Sequence, residues 1–216
     1  MMIDSLNGLP LKVMNLATED LHMWKQLAAA KPQTRIISTN LVPKDSTIPA
    51  PAPFALIEVP GQILGVKRNV KIGFLGLANP AGIKPKSEFT ATDPVEAINK
   101  VKPMVAKQAD FLVVLGDVPK SVAIRVANAH PEVLAFLMTE RAYTLHRAEQ
   151  VNNAVLLWSV EKGRHLGRLD LELNESGQVT IFKPDQVVLD ATVPEDPTLL
   201  KRQKEIAAQF PASVGH

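Results

Sequence analysis

Cysteine is absent from the 216 residues, and no apolar run approaches the roughly 20 residues that span a bilayer. The first absence excludes disulfides, thiolate metal ligands and a cysteine nucleophile. It leaves the compartment open, because exported proteins also lack cysteine. A dominant charge sign is missing too: 24 Lys+Arg stand against 22 Asp+Glu, a net +2. The pI of 8.8 rests on that small excess, whereas nucleic-acid binding needs a local basic stripe. The densest basic clusters, `GVKRNVK` and `EKGRHLGR`, carry no interleaved aromatics to stack bases, so no nucleic-acid partner is expected. The opening `MMIDSLNGLPLKVMNLATEDL` places Asp4 where a signal peptide needs positive charge and has no continuous apolar region, so no export signal is read there. Catalytic motifs are equally scarce. There is no G-x-S-x-G, and Ser38, Ser46, Ser87 and Ser121 have no triad context. There is no H-x-H or H-E-x-x-H, and `GFLGLANPAG` is not a G-x-G-x-x-G phosphate loop.

What is present is 46% hydrophobic sequence, enough for one sizeable core, and residues 1–216 read as one domain. `ATEDLHMWKQLAAA` reads as a helix capped by Thr18, with Leu21, Trp24 and Leu27 at helical spacing. `QTRIIST` is a strand ending at Asn40. The Pro-rich connection 43–53, with Pro43, Pro49, Pro51 and Pro53, cannot be a central strand. `FALIEVPG` and `VKIGFLGLA` form a hairpin or meander across a long turn, `GQILGVKRN`, and `ANPAGIKPKSEFTATD` is a loop. Gly73 and Gly76 are expected to permit close sheet packing. A helix capped by Asp93 with Pro94 in its first turn precedes `DFLVVLGD`, an apolar strand expected to be covered on both faces. A helix in `KSVAIRVANAHP` and a strand in `EVLAFLM` complete a strand–helix–strand rhythm, which implies a partly parallel sheet. `NAVLLWSVEKG`, `RHLGRLDLELN` and `QVTIFK` are consecutive strands, and Leu169, Leu171 and Leu173 share one face. A Pro-opened helix over about 197–209 closes the pattern.

In order and spacing, the pieces `STNLV`, `VKIGFLGL`, `TDPVEAINKV`, `ADFLVVLGD`, `HPEVLAFLM`, `GRHLGRLDLELNESGQV` and `VPEDP` resemble the metallophosphoesterase domain of the bacterial 5'-nucleotidase family, within the calcineurin-like superfamily. The resemblance implies an α/β fold of two packed mixed β-sheets flanked by helices, here without its first strand–helix unit. Such enzymes hold two divalent metals about 4 Å apart that activate a water and clamp phosphate oxygens. Their ligands are an Asp-x-His, a Gly-Asp, an Asn-His, a lone His after a strand, and a Gly-His-x-His. The first two groups fall before Met1. The Asn-His falls on Thr18 and Glu19, the lone His on Asp117, and the two histidines of the last motif on Glu140 and Ala142. Every matched position is changed.

The expectation is therefore a degenerate module: no catalytic residue, no cofactor, and an interaction or structural role. Its partner, a protein or a second copy, would cover the incomplete edge near residues 34–40 or 69–75, with 43–53 and 197–209 as further contact elements. Asp117 and Glu140, at the ends of adjacent strands, are the weak metal candidates, with Glu19 or Asp20 as a third ligand. The simpler reading of Asp117 is a cap for the `PKSVAI` helix. Of the histidines, His22, His130, His165 and His216 read as surface or satisfied core, and Arg141 with His146 as a weak anion site beside Tyr143. The competing reading is part of a metal-dependent phosphoric ester hydrolase using Mn, Mg or Zn, with its remaining ligands upstream or in a partner. As a fragment of such a precursor, the chain would be periplasmic or exported.

Overall fold

The computed structural model describes residues 7–8, 11–63, 66–139, 148–158, 165–176 and 178–209. Its frame is a six-stranded mixed sheet in the order β4-β5-β7-β8-β10-β9. The strands are β4 (Phe54–Ile63), β5 (Val66–Ala78), β7 (Phe111–Asp117), β8 (Val133–Met138), β9 (Glu149–Val151) and β10 (Ala154–Trp158). From β5 to β10 the neighbours run parallel, and an antiparallel strand flanks each side. The parallel pairs need crossovers, and α2 (Pro94–Val105) and α3 (Lys120–Ala129) supply two of them.

Both helices bury apolar residues against one face of the sheet. Ile98, Val101 and Val105 of α2, with Ala123, Val126 and Ala127 of α3, meet Leu75, Leu77, Val114, Phe136 and Leu156. On β8 the register slips at Leu134, so that Val133 and Phe136 both face the helices while Leu134 joins a different cluster.

The opposite face carries smaller pieces. β1 (Val13–Asn15) pairs in parallel with β2 (Arg35–Ile37), and α1 (Trp24–Ala29) buries Trp24 and Leu27 beside them. β3 (Leu41–Pro43) pairs with β6 (Phe89–Ala91). The hairpin β11 (His165–Leu173) and β12 (Val179–Val188) lays Leu169, Leu171, Leu173 and Phe182 on Leu134 and Val155. An α/β sandwich of mixed sheets flanked by helices is thus observed, as expected. Helix α4 (Pro197–Gln209) is the Pro-opened terminal helix of the sequence reading.

Several expectations shift. β10 joins the large sheet, so the second layer on this side is the β11–β12 hairpin rather than three consecutive strands. The long turn between β4 and β5 is mostly strand, because the ladder continues to Ile63 and Val66. The loop after β5 contains the short strand β6, and the Pro-rich connection begins with β3, where Pro43 ends an edge pairing. β7 is buried on one face only: Leu112, Val114 and Gly116 are buried, while Phe111, Val113 and Leu115 are half-buried. Residues 69–75 are not an edge, since β5 has β4 on one side and, from Ile72, β7 on the other. Within 34–40, β2 has β1 on one side and a bridge from Ile37 to Ala52 on the other. Among the described residues, β1 has β2 as its one ladder partner, and its other edge lies beside the large sheet's open face.

Candidate functional site

The parallel strands deliver their C-terminal ends to one rim, where ligand sites form in open α/β sheets. Asp117 is the last residue of β7, and Thr139 follows the end of β8. Thr18 opens a 3₁₀ turn, Thr18–Met23, just past β1. Asn15 helps to fix that placement, because its Nδ2 donates to the Leu77 carbonyl of β5 at 2.9 Å.

These elements meet in a clasp. The Thr18 backbone N–H donates to Asp117 Oδ2 at 2.8 Å, and the Thr18 hydroxyl donates to the same oxygen. The Thr139 hydroxyl donates to Asp117 Oδ1 at 3.2 Å, while the Thr139 N–H donates to the Gly116 carbonyl at 3.0 Å. One carboxylate therefore ties the ends of three strands together, with both oxygens accepting.

This arrangement corrects two local readings. Thr18 does not cap the helix that follows: Ala17 holds the cap position with no side-chain bond, and the Thr18 hydroxyl is committed to Asp117. Asp117 does not cap α3 either, since Pro119 occupies that position and no side chain bonds there. The carboxylate faces back across the sheet rather than forward into the helix.

Glu19 is exposed and takes no part in the clasp. Asp20 is half-buried, and that burial pushes its carboxyl above the ordinary value. The hydrogen bond to Ala17 opposes the shift, and the nearby Asp117 charge adds to it. Glu140 and Ala142, like Arg141, Tyr143, His146 and His216, lie outside the described residues. His22 is exposed, with Nδ1 2.7 Å from the Glu19 carbonyl. His130 is buried, with Nε2 3.4 Å from the Val95 carbonyl and Nδ1 3.4 Å from Glu132.

Among the described residues, the donors at this rim do not fit a two-metal centre. Thr18 and Thr139 already donate to both oxygens of Asp117, and no group of three His, Asp or Glu side chains among the described residues could hold an ion. The sequence reading missed Thr139. Its signal was available, since Thr139 directly follows the strand neighbouring β7.

A cleft of about 610 Å³ borders the clasp, lined by Thr18, Glu19, Leu21, His22, Lys84 and Glu88 among others. A smaller apolar groove of about 300 Å³ runs along β1 on the open face of the large sheet. Asn15, Leu115, Leu137, Leu157 and Trp158 line it, and Leu137 is 37% exposed.

No family model matches the sequence, and no curated protein matches it in a sequence comparison. Solved structures do match the fold. The sulfate thiohydrolase SoxB of Thermus thermophilus superposes with a TM-score of 0.78 at 15% identity, over 99% of this chain and 40% of that one. A calcineurin-like phosphoesterase, YfkN of Bacillus subtilis, gives 0.72 at 16% identity, over 96% of this chain and 72% of that one. A 5'-nucleotidase precursor, also of Thermus thermophilus, gives 0.72 at 17% identity, over 93% of this chain and 43% of that one. This chain thus spans less than half the length of two of these three. The chain resembles the calcineurin-like phosphoesterase and 5'-nucleotidase superfamily in its fold.

Proposed function

We propose that this chain is a non-catalytic module on a phosphoesterase-type scaffold, with an interaction or structural role and residues 1–216 acting as one domain. The observation that carries this reading is the clasp. Thr18 and Asp117 stand where the resemblance places an asparagine and a histidine ligand, and here they bond to each other. A carboxylate that accepts from three protein donors stabilises the rim as a hydrogen-bonded tie, and an incoming cation would compete with those donors.

The interaction surface that fits best is the open side of β1 with its apolar groove. The free edge of β1 beside half-exposed Leu115 and exposed Leu137 is a liability that a protein partner or a second copy relieves. This surface replaces the edge expected near 34–40 or 69–75.

The test of inactivity supplies Mn²⁺, Mg²⁺ or Zn²⁺ with nucleotides and a generic phosphate ester. Background release in every case is expected. Metal-dependent release that disappears in Asp117→Ala overturns the reading.

A second reading is favoured by the placement of half-buried Asp20, two residues past the Thr18 that bonds Asp117. Two neighbouring carboxylates are a partial set of oxygen ligands, which upstream or partner residues would complete in a metal-dependent phosphoric ester hydrolase. An exported or periplasmic location would accompany that reading, since one structural neighbour is described as a precursor. The genomic frame upstream of Met1 separates the two. Continuous coding with Asp-x-His and Gly-Asp supports the hydrolase, whereas a start codon at Met1 supports the non-catalytic module.

A further inference from the structure

At the opposite end of the parallel strands from Asp117 lies a second cleft, of about 580 Å³. Lys12, which precedes β1, and Arg35, which opens β2, line it with Lys71 of β5 and Lys107, which follows α2. Glu58 of β4 is the single acid in the lining. Four cations against one acid leave the cleft at +3, whereas the whole chain carries +2, so the rest of the molecule sums to −1. Positive charge is therefore gathered here. The cleft beside the clasp, by contrast, balances Lys84 and Lys86 against Glu19 and Glu88.

The backbone enforces this gathering. The Arg35 N–H donates to the Lys12 carbonyl at 3.0 Å, which sets the two residues side by side at the start of the β1–β2 pair. Arg35 Nη1 donates to the Leu56 carbonyl at 2.6 Å, which anchors the guanidinium over β4 and leaves its other donors available. Lys71 stands directly across the ladder from Glu58. Asp110 is the other acid influenced by Lys71, but Arg68 engages both its oxygens, at 3.1 and 2.5 Å. Among the described residues, Lys12, Arg35, Lys71 and Lys107 form no ion pair within 4 Å. Like charges that outnumber their counter-charges in a concave site raise the local potential and concentrate anions there. Half-buried Leu56 and Ile57 provide an apolar wall.

We propose that this cleft binds a small organic anion carrying two or more phosphate or carboxylate groups. Arg35 supplies directional donors, and Lys12, Lys71 and Lys107 supply point charges around them. The site lies at the opposite end of the parallel strands from the clasp and shares none of its residues.

Calorimetric titration of the full chain with pyrophosphate, and separately with citrate, tests the proposal. Saturable binding of at least one probe is expected, weakened by about tenfold on going from low to physiological ionic strength as screening sets in. The double variant Lys12→Gln/Lys107→Gln should weaken it by a further factor of about ten, because two exposed charges are removed from the focused field. Lys84→Gln/Lys86→Gln, in the other cleft, should leave it unchanged. Both pairs are exposed, and thermal unfolding checks that each variant folds. Pyrophosphate alone identifies phosphate as the recognised group, citrate alone identifies carboxylate, and either result supports the site. Binding of neither probe, or equal weakening by both double variants, overturns it.

Discussion

At the rim, Asp117 acts through three donors, and its removal has a definite expected cost. Asp117→Ala leaves the Thr18 N–H and hydroxyl without their acceptor and the Thr139 hydroxyl with the Gly116 carbonyl alone, and hydrogen bonds to a charged group contribute more than neutral ones. We expect a loss of about 2 kcal/mol in denaturant unfolding, with Asp117→Asn losing less because one carbonyl oxygen still accepts. Asp20 behaves in the opposite sense. Burial raises its carboxyl above the ordinary value, with Asp117 contributing, so its ionisation opposes folding. That opposition is fully present above the raised value and is relieved as pH falls through it. Asp20→Asn should therefore raise the unfolding midpoint near neutral pH. The gain should vanish in acid below the ordinary carboxylate range, where Asp20 is protonated in both states. A wild-type-like midpoint for Asp20→Asn at neutral pH would contradict the assigned burial.

Among the elements, α2 has the most completely specified start. Asp93 accepts from the N–H groups of Val95 and Glu96 at 2.9 and 3.3 Å, and Arg125 of α3 donates to its other oxygen at 2.7 Å. Asp93→Ala should cost about 1–2 kcal/mol, the usual penalty for a lost cap, read from the shift in denaturant midpoint. The sheet offers a sharper contrast. A Cβ on Gly76 would lie 2.5 Å from Asn15 Oδ1 and 2.9 Å from the Ile37 carbonyl, where β1 and β2 cross β5. A Cβ on Gly116 would meet the Met138 sulfur at 3.0 Å, in the flexible part of a side chain, and Val118 Cγ2 at an ordinary 3.4 Å. Gly76→Ala is therefore expected to destabilise by about 2–3 kcal/mol and Gly116→Ala by clearly less. The reverse order would show that β1 and β2 do not sit against β5 as described.

At the scale of the whole molecule, the described residues include exposed apolar side chains on the second face. Leu115 is half-buried and Leu137 exposed on the large sheet, and Leu166, Val187 and Val188 are exposed at one end of the β11–β12 hairpin. A contact between copies or with another chain is the economical cover for such a surface. Light scattering at micromolar concentration should show an assembly larger than the 23.5 kDa chain, or else apolar-dye binding by the lone chain. A 23.5 kDa particle that binds no dye would remove the partner from the proposed function.

The sequence alone determined those features whose cause is local. The cap at Asp93 followed by Pro94, the strand character of `DFLVVLGD`, and the inward face of Leu169, Leu171 and Leu173 are all written within a few residues. The ordered set of pieces also reached the α/β sandwich, because strand–helix–strand rhythm limits topology. Tertiary structure decided what depends on partners distant in sequence. Thr18 reads locally as a helix cap, yet Ala17 takes the cap position and the Thr18 hydroxyl donates to a carboxylate 99 residues away. Residues 69–75 carry no mark of their two flanking strands, since a ladder partner is chosen by the fold and not by the strand itself. Lys12, Arg35, Lys71 and Lys107 are scattered single charges in the sequence, and only the folded sheet brings them to one cleft.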